Sequence, residues 1–173
     1  MTDVPHLEVD VSVSCAGWKS LLPPPGEIAL AAAGAAFRAA WPPPARIKAE
    51  AAEASVLLAD DGLVEVLNRD YRGRDGATNV LSFSGLAEAG QGAGAPVLLG
   101  DIVVAYETAA AEADAEGICL ADHLSHLIIH GMLHLLGHGH ENEAEAARME
   151  RLESQVLASL GISKRRPERG TEC

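Results

Sequence analysis

Residues 130–140 read HGMLHLLGHGH, and with His123 and His126 just upstream they hold six of the seven histidines in the chain. A helix turns about 100° per residue, so His130 and His134 project from one face a turn apart, near enough for both imidazoles to hold one metal ion. Gly137 and Gly139 then break the helix and let the chain fold back. His140, which continued helix would carry to the wrong face, can therefore return as a third ligand. Three imidazoles suit zinc, and three protein ligands in place of four leave a position open for water or substrate. The pattern points to catalysis more than to scaffolding. Spacing alone does not select the ligands, because His126, His130, His134 and His138 follow one another at four-residue steps and any adjacent pair would serve. The HExxH string of common zinc peptidases places a glutamate base after its first histidine. Gly131 occupies that position here.

Outward from this segment, hydrophobic periodicity predicts one α+β domain over residues 1–173, a small mixed sheet packed with helices, on which the histidine helix (120–136) lies as a zincin-like metal-binding helix. Leu7, Val9, Val11 and Val13 alternate with polar residues as in a half-buried strand. An alanine-rich helix is expected over 26–41, stopped by Pro42. Short strands are expected at 54–59 and 78–83, and another at 97–105 interrupted by Gly100 and Asp101. Asp60 and Asp61 are N-cap candidates for a helix reaching about Tyr71. Further helices are expected over 106–116 and 141–160, the last amphipathic through Ala146, Met149, Leu152, Val156 and Leu160. Residues 85–96, rich in Gly and Ala, are expected to form a mobile loop, and 162–173 a flexible tail.

The formal charge of −12 over 173 residues argues against a protein that coats nucleic acid through its overall field, since counterion release needs clustered Lys and Arg. Two local basic clusters stand out: Arg69, Arg72 and Arg74, and a second of Lys164, Arg165, Arg166 and Arg169. Cys15, Cys119 and Cys173 are far apart and lack CxxC spacing, which favours reduced thiols over a disulfide framework or a cysteine zinc site. No basic segment followed by an apolar run opens the chain, and no stretch approaches the roughly 20 apolar residues of a membrane span. A soluble, cytoplasmic protein without membrane partners is expected.

HGMLHLLGHGH resembles the HGxLHLxGYDH signature of the YbeY family, bacterial metal-dependent endoribonucleases implicated in maturation of small-subunit ribosomal RNA. Two further blocks resemble the same family in the same order. LNRDYRGRD at 67–75, followed by TNVLSF at 78–83, is similar to its asparagine, tyrosine-arginine, aspartate and T(D/N)VLSF pattern, and LGDI at 99–102 lies between that block and the histidines. The resemblance implies His130, His134 and His140 as ligands of one Zn2+ ion per chain, and Arg72 as the basic residue required for catalysis. It implies a zinc-dependent single-strand endoribonuclease acting on 16S ribosomal RNA in maturation and ribosome quality control, with the small ribosomal subunit or its proteins as partners. A guanidinium suits that role, because phosphodiester cleavage builds negative charge on phosphoryl oxygens that it can meet with two hydrogen bonds.

The chain departs from the signature at His138 and Gly139, where the family usually has an aspartate before the third histidine; Glu141 is a candidate substitute. Thr78, Asn79 and Ser82 are candidates to line the cleft, with Val80, Leu81 and Phe83 as core, and Asp101 to fix a loop near the site. His126 is assigned to packing or contact behind the ligands, and His123 to exposed helix surface. The competing functions are a zinc hydrolase of peptides or small molecules, and a ribosome-associated protein with a structural metal and weak nuclease activity.

Overall fold

A computed structural model describes residues 3–43, 47–86 and 94–163. Four strands form one sheet: β1 (His6–Val13), β2 (Ala51–Ala59), β3 (Val80–Ser84) and β4 (Val97–Ala105), in the order β1-β2-β4-β3. β1, β2 and β4 run parallel, and β3 closes one edge antiparallel to β4. Five helices accompany them: α1 (Pro25–Ala40), α2 (Asp61–Arg72), α3 (Tyr106–Glu116), α4 (Leu120–Leu135) and α5 (Glu143–Ser159). The α+β arrangement agrees with the sequence reading. Within it β2 starts three residues earlier than expected, and α5 starts at Glu143, capped by Asn142, whose side chain accepts from the Glu145 amide.

One face of the sheet carries the main core. Ala29, Ala32, Ala33 and Ala36 of α1 are fully buried at helical spacing, and such small side chains let α1 lie close against α4. Ala52, Val56 and Leu58 of β2 and Leu99, Ile102 and Val104 of β4 meet Leu124, Ile128 and Met132 of α4 across this core. Gly131 is part of the fit: a Cβ there would lie 3.0 Å from Ile102 Cγ2. The opposite face is covered in part by α2, where Val64 packs with Leu81, Val103 and Ala105.

The expected interruption of β4 is a change of register inside a continuous strand. Glu53 pairs with Leu98 and Ala54 with Gly100, so Leu99 is an extra, bulged residue. Gly100 has φ +130°, and a Cβ on it would sit 1.9 Å from the Phe83 carbonyl oxygen. The bulge inverts the alternation beyond it, so Ile102 and Val104 face the core and Asp101 faces the open side. Trp18, in a short 3-10 helix (Ala16–Ser20), is fully buried and donates its indole N–H to the Ala59 carbonyl at 2.9 Å.

Cys15 is a free, partly buried thiol, as expected of it from the sequence. The expected loop at 85–96 and tail at 162–173 fall mostly on residues 87–93 and 164–173, outside the described residues. No helix among the described residues is long and apolar enough to cross a membrane.

Candidate active site

α4 ends in a turn whose hydrogen bonds follow from its glycine. Gly137, at φ +87°, donates to the His134 carbonyl at 2.9 Å, and the His138 amide donates to the Leu133 carbonyl at 3.0 Å. This is the Schellman arrangement, in which a left-handed residue satisfies the last carbonyls and reverses the chain. The reversal carries His140 back over the end of α4. One nitrogen from each of His130, His134 and His140 lies within 4.8 Å of the others, and His130 Nε2 is 3.0 Å from His134 Nε2. The ring centroids of His134 and His140 are 5.2 Å apart. With metal–nitrogen bonds of about 2.0–2.1 Å, such converging nitrogens fit a single ion. Among the described residues these three are the group able to hold one.

The trio opens into a cleft of about 660 Å³ between β3 and α4, also lined by Arg72, Thr78, Asn79, Ser82 and Glu112. Arg72 is the last residue of α2, and Gly73 caps the helix in the left-handed conformation. Its Nη2 donates to the Ser82 carbonyl at 3.2 Å, which holds the guanidinium against the free edge of β3. Buried Asn68 secures the turn that follows, donating to the Gly76 carbonyl at 2.9 Å while its own carbonyl accepts from the Arg74 amide. Burial lowers the pKa of His134 to about 4, helped by the charges of His130, His140 and Arg72. That ring is accordingly neutral, and ready to donate a lone pair, over the physiological range.

The family model described as Endoribonuclease YbeY matches residues 41–161, which include both Arg72 and the histidine turn. This chain belongs to the YbeY family. It is 46% identical over 162 residues to Endoribonuclease YbeY of Paramagnetospirillum magneticum, spanning 90% of this chain and 93% of that one. A second relative, Endoribonuclease YbeY of Azorhizobium caulinodans, is 48% identical over 156 residues, with 90% and 94% of the two chains covered. The solution structure of TM1509 from Thermotoga maritima shares the fold, with a TM-score of 0.51, 18% identity, and 95% and 100% of the two chains covered.

Several residues of the YbeY motifs stand where the sequence reading put them. Thr78, Asn79 and Ser82 line the cleft, and Leu81 is buried in the smaller core. Others do not. Asp101 lies in a separate hollow on the open face of the sheet, its Oδ1 meeting Ser55 Oγ, because the bulge turns it away from the histidines. Nor is Glu141 the carboxylate near Gly139: a Cβ on Gly139 would meet Glu145 Oε2 at 3.5 Å. His123, expected on exposed surface, is buried, and its Nε2 pairs with Glu112 at 2.7 Å while Asn79 donates to the same carboxylate. His138 turns toward the end of α1, where burial and then the charge of Arg148 lower its pKa.

Glu153 of α5 is a site residue that the sequence reading missed. Its Oε1 contacts His130 Nδ1, and its Oε2 pairs with His126 Nε2 at 3.2 Å. Burial alone would raise this carboxyl, but hydrogen bonds from His126 and His130 outweigh it and bring the pKa to about 2. The available signal was its place between Leu152 and Val156, a charged residue on the face that α5 turns toward α4.

Proposed function

We propose that this chain is a zinc-dependent endoribonuclease that cleaves single-stranded RNA in the cytoplasm, acting on 16S ribosomal RNA during maturation of the small subunit. The carrying observation is the convergence of His130, His134 and His140 with Arg72 on one cleft. Three imidazoles would hold the ion and leave a coordination position open. A zinc ion held by these residues would supply Lewis acidity toward a phosphoryl oxygen and toward water. Arg72 donates to the non-bridging phosphate oxygens and stabilises the charge that builds on them. Exposed Tyr71 precedes it and packs edge-on against Phe83, with ring centroids 5.6 Å apart, offering a face on which an unpaired base can stack.

Charge supports single strands over duplexes. Glu112, Glu116, Glu150 and Glu153 line the same cleft, and Arg72 is the cation among its described lining residues. Such a cleft favours one phosphate at the ion and arginine and repels a second backbone. Recognition of the ribosomal substrate then depends on contacts with the small subunit or its proteins.

A peptide hydrolase is disfavoured by two observations. Gly131, at the place of the peptidase base, is packed toward Ile102, and the edge carbonyl of Ser82, which an added peptide strand would use, is already bonded to Arg72. The test is incubation of purified protein with single-stranded RNA and with a generic peptide, each with zinc and with chelator. Zinc-dependent RNA cleavage that falls about a hundredfold on Arg72→Ala is expected. Peptide cleavage alone would select the hydrolase, and bound zinc without either activity would select a structural metal.

A further inference from the structure

Glu153 is 7% exposed, and a carboxylate is costly at that depth unless its oxygens are compensated. Imidazoles from α4 compensate both: Oε2 is 3.2 Å from His126 Nε2, and Oε1 meets His130 Nδ1 more closely. An ionised carboxylate only accepts hydrogen bonds, so it requires the His130 proton on Nδ1. That leaves the lone pair on Nε2, the nitrogen 3.0 Å from His134 Nε2. A neutral histidine without such a partner distributes its proton between two tautomers, and its ring turns about χ2.

We propose that Glu153 is a positioning residue that presets the metal site: it fixes His130 in the Nδ1–H tautomer with Nε2 aimed at the ion, and His126 holds the carboxylate in place. The role rests on the reading of His130, His134 and His140 as metal ligands. It also accounts for the four-residue series on α4. His130 and His134 face the ion, while His126, one turn earlier, clasps the carboxylate behind it. Glu153 acts through His130 and not on RNA, so its loss is felt first in the affinity and geometry of the site.

The experiment uses the full chain as wild type, Glu153→Gln and His126→Ala, stripped of metal and held at pH 8. Histidine-labelled nitrogen NMR reads the tautomer of His130, and competition with a chromophoric chelator reads zinc affinity. Wild type is expected to carry the proton on Nδ1. Glu153→Gln is expected to shift His130 toward a mixture and to weaken zinc binding about 10- to 100-fold, the usual effect of losing such a partner. His126→Ala leaves the carboxylate on His130 and should weaken binding less than Glu153→Gln. A staple that merely docks α5 on α4 would lower the unfolding midpoint without moving the tautomer. An unchanged tautomer in folded Glu153→Gln, or zinc affinity within twofold of wild type, overturns the proposal. Wild type that binds no zinc at all would instead overturn the metal reading, and the tautomer measurement would still decide whether Glu153 fixes His130.

Discussion

The histidine cleft encloses about 660 Å³, and the hollow on the open face of the sheet about 540 Å³. Both are acidic. Glu8, Asp10, Glu53 and Asp101 line the hollow, much as four glutamates line the cleft. The cleft adds convergent imidazoles and one arginine pinned to the strand edge, and those additions separate a surface that repels phosphate from one that can bind a single phosphodiester. Volume and acidity, which the two share, say nothing about chemistry; the difference lies in a helix end, a left-handed glycine and a guanidinium held by a carbonyl.

Removing the ion should break this difference most completely. His134→Ala is expected to lose bound zinc and to lower RNA cleavage by about a thousandfold or more, since the charge of a metal contributes several kcal/mol to such a transition state. Metal analysis and a single-stranded RNA assay on the folded variant check it. Arg72→Ala should keep its zinc and lose about a hundredfold in kcat, with partial recovery in Arg72→Lys, which restores the charge but not the fork. Retained zinc with lost cleavage would separate the arginine from the metal site.

The two hollows should also part on acidification. The folded pKa of His134 lies below that of the unfolded chain, so the unfolded state takes up the proton first as pH falls. Stability of the metal-free protein from this ring is therefore full above about pH 6.5, is lost as pH falls toward about 4, and is level below that. Solvent screening at a partly exposed ring keeps the loss to about 1–2 kcal/mol. Urea unfolding of chelator-treated protein at pH 7, 5.5 and 4.5 measures it, and His134→Ala should flatten the trend. Asp101→Asn, in the other hollow, is expected to change stability by no more than about 0.5 kcal/mol and to leave cleavage unaltered.

Residues whose role depends on near neighbours in sequence were legible, and those that depend on distant packing were not. His130, His134 and the break at Gly137 follow from helical period and glycine conformation, and Asp60 caps α2 as expected, accepting from the Leu63 amide at 2.9 Å. Glu153 was not found because nothing in the spacing between residues 130 and 153 shows that α5 packs alongside α4. His123 was misplaced for the same reason, its partner Glu112 lying on α3. Asp101 was misplaced because one bulged residue, Leu99, reverses the sides of a strand, and a period of two cannot reveal a bulge.

The central claim is most directly tested by titrating zinc into metal-free protein while following cleavage of a single-stranded RNA. Cleavage should be absent without metal, rise with zinc and saturate at one ion per chain, with His134→Ala inert throughout. Undiminished cleavage by the chelated protein or by the folded His134 variant would contradict it.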